Sequence, residues 1–195
     1  MLHSRQDPPA GCSPVVHLPE LYQIRDFTKG ADPSLCPYSI GRYDEIRPGM
    51  YTSSLFTGGR CLHIGIDIGA PVGEPVYSAR SGYIFSLGIL PDKGDYGHSI
   101  VVEHRWNNQS IWALYGHLSA ASLSLHSVGD QVHGGDLIGW LGTESENGGW
   151  PPHLHYQLSW TAPEGHDMPG VVHPDQRDIA LSRYPDPRLF LGSVY

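Results

Sequence analysis

Cysteine is scarce: the 195 residues include three, Cys12, Cys36 and Cys61, and none forms a C-x-x-C pair. That excludes a cysteine-ligated zinc finger, a thioredoxin-type redox motif and a disulfide-stapled framework. Charge is also sparse, at 16% Asp, Glu, Lys and Arg, against about 25% in average domains. The balance is acidic, with 12 Lys and Arg against 20 Asp and Glu, a net charge of −8 and no basic cluster. Such a chain repels phosphate backbones, so nucleic acid is excluded as a partner. No apolar run approaches the roughly 18–20 residues that cross a bilayer, so no membrane span is expected. The opening MLHSRQDPP lacks the apolar segment of a signal peptide. As written the chain reads as cytoplasmic; a leader removed ahead of it would make it periplasmic or secreted.

Glycine, proline and histidine are plentiful, with 24 Gly, 17 Pro and 12 His. The length fits one domain of ordinary size, and 39% hydrophobic residues supply a core. Residues 1–40 are rich in Pro and turn formers, interrupted by short apolar runs at 15–18 and 21–24, and read as an irregular N-terminal arm. Residues 41–195 read as the domain proper. Within it, short β-branched and aromatic runs bounded by Gly, Pro, Asn or Asp predict strands at 62–68, 75–79, 83–89, 99–104, 111–117, 137–141 and 153–160. Helix signals are weak, at 119–125 with Ser119 as N-cap and at 175–182. The expected fold is mainly β, a single-domain antiparallel sheet folded as a barrel or sandwich.

Three of these segments place metal-ligand residue types inside apolar strands, where polar groups need a reason to be buried. In Cys61–Gly69, alternation puts His63, Gly65 and Asp67 on one face and Ile64, Ile66 and Ile68 on the other. In Pro151–Leu158 it puts His153 and His155 on one face, with Leu154, Tyr156 and Leu158 opposite. His117 ends the apolar run Leu114-Tyr115-Gly116. Singly, each has an ordinary explanation, such as a surface His–Asp pair or a hydrogen-bonded core histidine. Together His63, Asp67, His117, His153 and His155 supply three ligands for a catalytic Zn²⁺, with two imidazoles left to move protons.

The H-x-x-x-D of His63 and Asp67, the Y-x-H-L of Tyr115 to Leu118 and the H-x-H of His153 and His155 resemble, in that order, the lysostaphin-type (LytM-like) zinc metalloendopeptidases. The turns at 70–76, 127–132 and 134–139 and the closing 186–191 resemble that family as well, so the likeness covers about 60–192. It implies a small antiparallel sheet under a groove, Zn²⁺ held by His63, Asp67 and His155, and His117 and His153 acting beside the metal on the attacking water and leaving amine. It also implies a loop tyrosine that steadies the oxyanion, for which Tyr51 and Tyr43 are the nearest candidates. The implied substrate is a peptide bond in peptidoglycan cross-links or stem peptides. A non-catalytic regulatory module on the same fold, or a zinc hydrolase of cytoplasmic peptides or small molecules, are the alternatives. Residues 40–51 resemble the lead-in of a subgroup found in bacterial multidomain proteins beside kinase-like and aminotransferase-like domains. Cys61 is expected to be a buried thiol, Tyr115 packing, Asp130 and Asp136 turn formers, and Trp150 and Trp160 candidates for the groove wall. His98, His104, His126 and His133 are expected to be surface or strand histidines.

Overall fold

A computed structural model gives the fold and describes residues 2–31 and 36–195. The strands are β1 (Leu2–Ser4), β2 (Leu21–Ile24), β3 (Ser39–Gly41), β4 (Glu45–Ile46), β5 (Leu62–His63), β6 (Ile66–Gly69) and β7 (Pro75–Tyr77). They continue as β8 (Gly82–Leu90), β9 (Gly97–Trp106), β10 (Gln109–Leu118), β11 (Gln131–Val132), β12 (Leu137–Trp140), β13 (His153–Ser159) and β14 (Val171–Val172). Two short helices, α1 (Arg177–Arg183) and α2 (Arg188–Leu191), close the chain.

The main sheet runs β1-β2-β3-β6-β13-β10-β9-β8-β11, with small sheets β12-β7 and β14-β5-β4 beside it. It is mainly antiparallel, as the sequence pattern predicts. The sheets stay open rather than closing into a barrel, and the β2–β3 pairing is parallel. The β9–β10 hairpin turns through Asn107 and Asn108, both at positive φ. That is the left-handed pair a two-residue turn needs to match strand twist. Residues 2–41 contribute β1, β2 and β3 to one edge of the sheet, and Val15, Val16, Leu18 and Tyr22 are buried in the same core as Ile66 and Ile68.

Strand alternation decides which face becomes core. On β13, Leu154, Tyr156 and Leu158 are fully buried in the main core, each burial worth about 1.5–3 kcal/mol. His153, His155 and Gln157 point to the opposite face, beside a second, smaller core that includes Leu62, Ile64, Tyr96 and Leu114. The predicted strand 62–68 is instead two strands in two sheets, broken between His63 and Ile66. Ile64 N–H leaves the main ladder and donates to Gly170 O at 2.8 Å. A Cβ on Gly65 would lie 2.5 Å from His155 Cε1, so the chain here makes room for an imidazole. His63 and Asp67 therefore meet across a break in the chain, not along one continuous strand face.

Candidate metal centre

Asp67 sits on β6 directly opposite His155 on β13, and His63 approaches from β5. Asp67 Oδ1 lies 3.0 Å from His155 Nδ1 and 3.2 Å from His63 Nε2. The two imidazole nitrogens are themselves 3.2 Å apart, with the rings nearly perpendicular at 83°. These three side chains form a group that can hold a metal ion.

The outer hydrogen bonds fix which nitrogen carries each proton. His63 Nδ1–H donates to Arg42 O at 2.9 Å, so Nε2 presents its lone pair inward. Gln157 Nε2 donates to Pro169 O, which turns its Oε1 toward His155 Nε2–H at 3.0 Å and frees Nδ1. Three lone-pair-bearing atoms thus converge with no proton between them, a mutual repulsion that a cation relieves. Carbonyl and amide oxygens in this outer position are the usual means of orienting a metal-bound imidazole.

His117 and His153 flank this group. His117 Nδ1–H donates to Asn147 O at 2.9 Å and His153 Nδ1–H to Pro151 O at 2.7 Å, leaving each Nε2 unprotonated. Their rings lie 4.2 Å apart, and His153 Nε2 is 3.7 Å from Asp67 Oδ1. His117 has φ of 65° and sits where the β9–β10 register slips between Tyr115 and Leu118. Such a bulge re-aims one side chain, and a positive φ away from glycine costs free energy that sites commonly store.

Burial and charge hold Asp67 anionic and His63 neutral, as a metal site requires. Burial would raise the Asp67 carboxyl, but it is held well below the usual range, with the Arg47 guanidinium on its Oδ2 favouring the charged form. Burial, reinforced by the Arg47 charge, pushes His63 down to about 4. Burial and the neighbouring imidazoles keep His117 well below its ordinary value, and burial lowers His153 as well.

All five residues open onto one cleft of about 680 Å³, whose walls include Tyr51, Phe56, Tyr96 and Trp150. Tyr51, Phe56 and Trp150 form an aromatic cluster, with ring centroids 4.9–6.4 Å apart. Tyr43 is not on the cleft wall; its hydroxyl donates to Tyr184 O at 2.6 Å. Tyr96, unremarked in the sequence, packs on His117 and His155 at 5.3 and 5.1 Å, its hydroxyl donating to Met168 O. Arg47 and Gln157 were also missed. Gln157 shared a strand face with His155 and was legible from alternation, whereas nothing local in the sequence marked Arg47. Trp160 packs on the main core, and Tyr115 is buried there with its hydroxyl accepting from Ala79 N–H. Cys61 is a half-buried free thiol. Asp130 and Asp136 accept backbone N–H bonds inside their turns, as expected.

An open sheet thus carries a metal-capable His/Asp/His group and two further imidazoles in one cleft. The chain belongs to Peptidase family M23, a metallopeptidase family whose sequence model matches residues 62–167. It is 38% identical over 96 residues to DD-carboxypeptidase/endopeptidase Mpg of Neisseria meningitidis, a match covering 49% of this chain and 20% of that protein. Peptidoglycan DD-endopeptidase ShyA of Vibrio cholerae is 33% identical over 96 residues, covering 49% and 20%. The chain thus spans about a fifth of the length of these curated relatives. Among solved structures, the catalytic domain of the antimicrobial peptidase lysostaphin from Staphylococcus simulans is similar, with a TM-score of 0.53 and 25% identity. That likeness covers 80% of this chain and 93% of the lysostaphin chain. No helix among the described residues is long and apolar enough to cross a membrane.

Proposed function

We propose that the protein is a zinc-dependent endopeptidase that hydrolyses peptide bonds in peptidoglycan cross-links or stem peptides. The observation that carries this reading is the convergence of His63 Nε2, His155 Nδ1 and Asp67 Oδ1 within 3.2 Å of one another. Nitrogen and oxygen ligands about 2.0–2.1 Å from a tetrahedral zinc stand roughly 3.3 Å apart, so the spacing suits zinc. Three protein ligands leave the fourth position open, the mark of a catalytic rather than a structural site. The activities for which Mpg and ShyA are named support the substrate class. On this reading the protein works where wall peptides are, in the periplasm or outside the cell.

Bound zinc supplies Lewis acidity, polarising the scissile carbonyl and bringing the pKa of a water to about 7. His117 is the general base: its Nδ1–H is committed to Asn147 O, and burial keeps Nε2 free to take a proton. His153, its ring 4.2 Å from that of His117 and its Nε2 3.7 Å from Asp67 Oδ1, is the second imidazole beside the metal and relays a proton to the leaving amine. Tyr51 on the cleft wall is the oxyanion donor: its hydroxyl oxygen accepts from Arg47 Nη1 at 3.2 Å, which leaves its own hydrogen to donate. Tyr96, whose hydroxyl is spent on Met168 O, packs on His117 and His155 and holds their rings in place.

The reading is tested by metal analysis of the purified protein together with digestion of cross-linked muropeptides. It requires about one zinc per chain and cleavage abolished by chelator and restored by zinc. A folded protein that takes up no zinc overturns it.

A further inference from the structure

The two oxygens of Asp67 face different partners. Oδ1 faces the two imidazole nitrogens, while Oδ2 accepts from Arg47 Nη1 at 2.6 Å. Arg47 is only 2% exposed, where a guanidinium is strongly disfavoured unless paired. Its pairing is extensive: Nε donates to Glu45 Oε2 at 2.9 Å, Nη1 also to the Tyr51 hydroxyl at 3.2 Å and Nη2 to Arg42 O at 3.3 Å. Glu45 is held in turn by Arg42 Nε at 2.9 Å, and Arg42 reaches Asp26 Oδ1 at 3.0 Å. The Phe27 ring lies 4.7 Å from the guanidinium carbon.

The backbone is shaped to admit this guanidinium. Gly41 stands opposite Asp67 in the β3–β6 register, and a Cβ there would lie 2.8 Å from Arg47 Nη2. The same stretch of chain also orients a second ligand, since Arg42 O receives the His63 Nδ1–H. Residues 42–47 precede the matched region 62–167, so the contacts that orient His63 and Asp67 from outside come from beyond it.

A carboxylate with both oxygens free can swing, or bind a metal through either or both. Occupying Oδ2 with a fixed donor removes those options. We propose that Arg47, braced by Glu45 and Arg42, is a positioning residue for the metal centre: it holds Asp67 by Oδ2 so that Oδ1 alone is presented to the metal. This rests on the zinc reading above.

The test is zinc affinity by competition with a chromophoric chelator, for wild type, Arg47→Met, Arg47→Lys and Glu45→Gln, with far-UV circular dichroism to verify folding. The d–d spectrum of the Co²⁺-loaded proteins reports coordination directly. Loss of an outer-shell partner weakens metal binding by about 10–100-fold, and that range is expected for Arg47→Met, together with an altered Co²⁺ spectrum. Arg47→Lys, which keeps the charge but cannot bridge Asp67, Glu45 and Tyr51 at once, is expected between Arg47→Met and wild type. A folded Arg47→Met with zinc Kd within about twofold of wild type and an unchanged spectrum overturns the proposal. If Arg47→Met does not fold, Glu45→Gln and Arg47→Lys decide, and unchanged affinity in both overturns it equally. Wild type that binds no zinc is a separate result, overturning the function reading itself and this inference with it.

Discussion

Gly65 and His155 occupy complementary space: the missing side chain of one is where the ring of the other lies. A Cβ at 65 would stand 2.5 Å from His155 Cε1 and 2.6 Å from Nε2. Gly65→Ala must therefore push the imidazole off its bond to Gln157 and away from Asp67. The expected outcome is a folded protein with zinc affinity and peptidase activity reduced at least tenfold, the low end of the effect of disturbing outer-shell support. Chelator competition checks it, and wild-type affinity in Gly65→Ala would show that the ring has slack.

The two groups of histidines separate by variant. His117→Ala is expected to retain about one zinc per chain while losing turnover by about 10²–10⁴-fold, the usual contribution of a general base. His63→Ala is expected to lose both metal and turnover. Zinc analysis alongside muropeptide kinetics distinguishes them, and loss of zinc from folded His117→Ala would move that residue into the ligand set.

Tyr51→Phe keeps the ring against Phe56 and Trp150 and removes only the hydroxyl. A drop in kcat on the order of 10²-fold with little change in KM is expected if the hydroxyl serves the oxyanion. Equal kinetics for Tyr51→Phe and wild type would remove Tyr51 from that role.

The pattern of success in the sequence reading follows from its range. Alternation within one strand correctly set His153 and His155 apart from Leu154 and Tyr156, because a strand's two faces are fixed by local geometry. The same rule misdescribed 62–68, since the break between β5 and β6 depends on the His155 ring, 90 residues further on from Gly65, entering the space at that glycine. Arg47 was invisible for the same reason: an arginine among turn residues is ordinarily solvated, and only the β3–β6 register brings Asp67 and Gly41 around it. Strands β1 to β4 were missed because they are short and lie in a Pro-rich stretch. Residues 32–35, within the expected arm, lie outside the described residues.

His104 ties stability to acidity away from the cleft. It is fully buried, Nδ1–H donates to Ser81 O at 3.2 Å, and Nε2 has no partner among the described residues. Burial pushes its pKa down to about 4. Above about pH 6.5 the imidazole is neutral in both states; as pH falls from there toward 4, the unfolded chain binds a proton that the folded one refuses. Stability is therefore lost across that window, by about 3 kcal/mol in total for this residue. His104→Gln is expected to flatten the denaturant-measured stability profile between pH 6.5 and 4 by about that amount, and a profile parallel to wild type would contradict it.

The metal centre itself is most directly tested by diffraction at the zinc absorption edge from crystals equilibrated with zinc. The expected result is one strong anomalous peak about 2.0–2.2 Å from His63 Nε2, Asp67 Oδ1 and His155 Nδ1, with Asp67 Oδ2 still on Arg47. A peak elsewhere, or none in a folded crystal, would contradict the assignment of these residues as ligands.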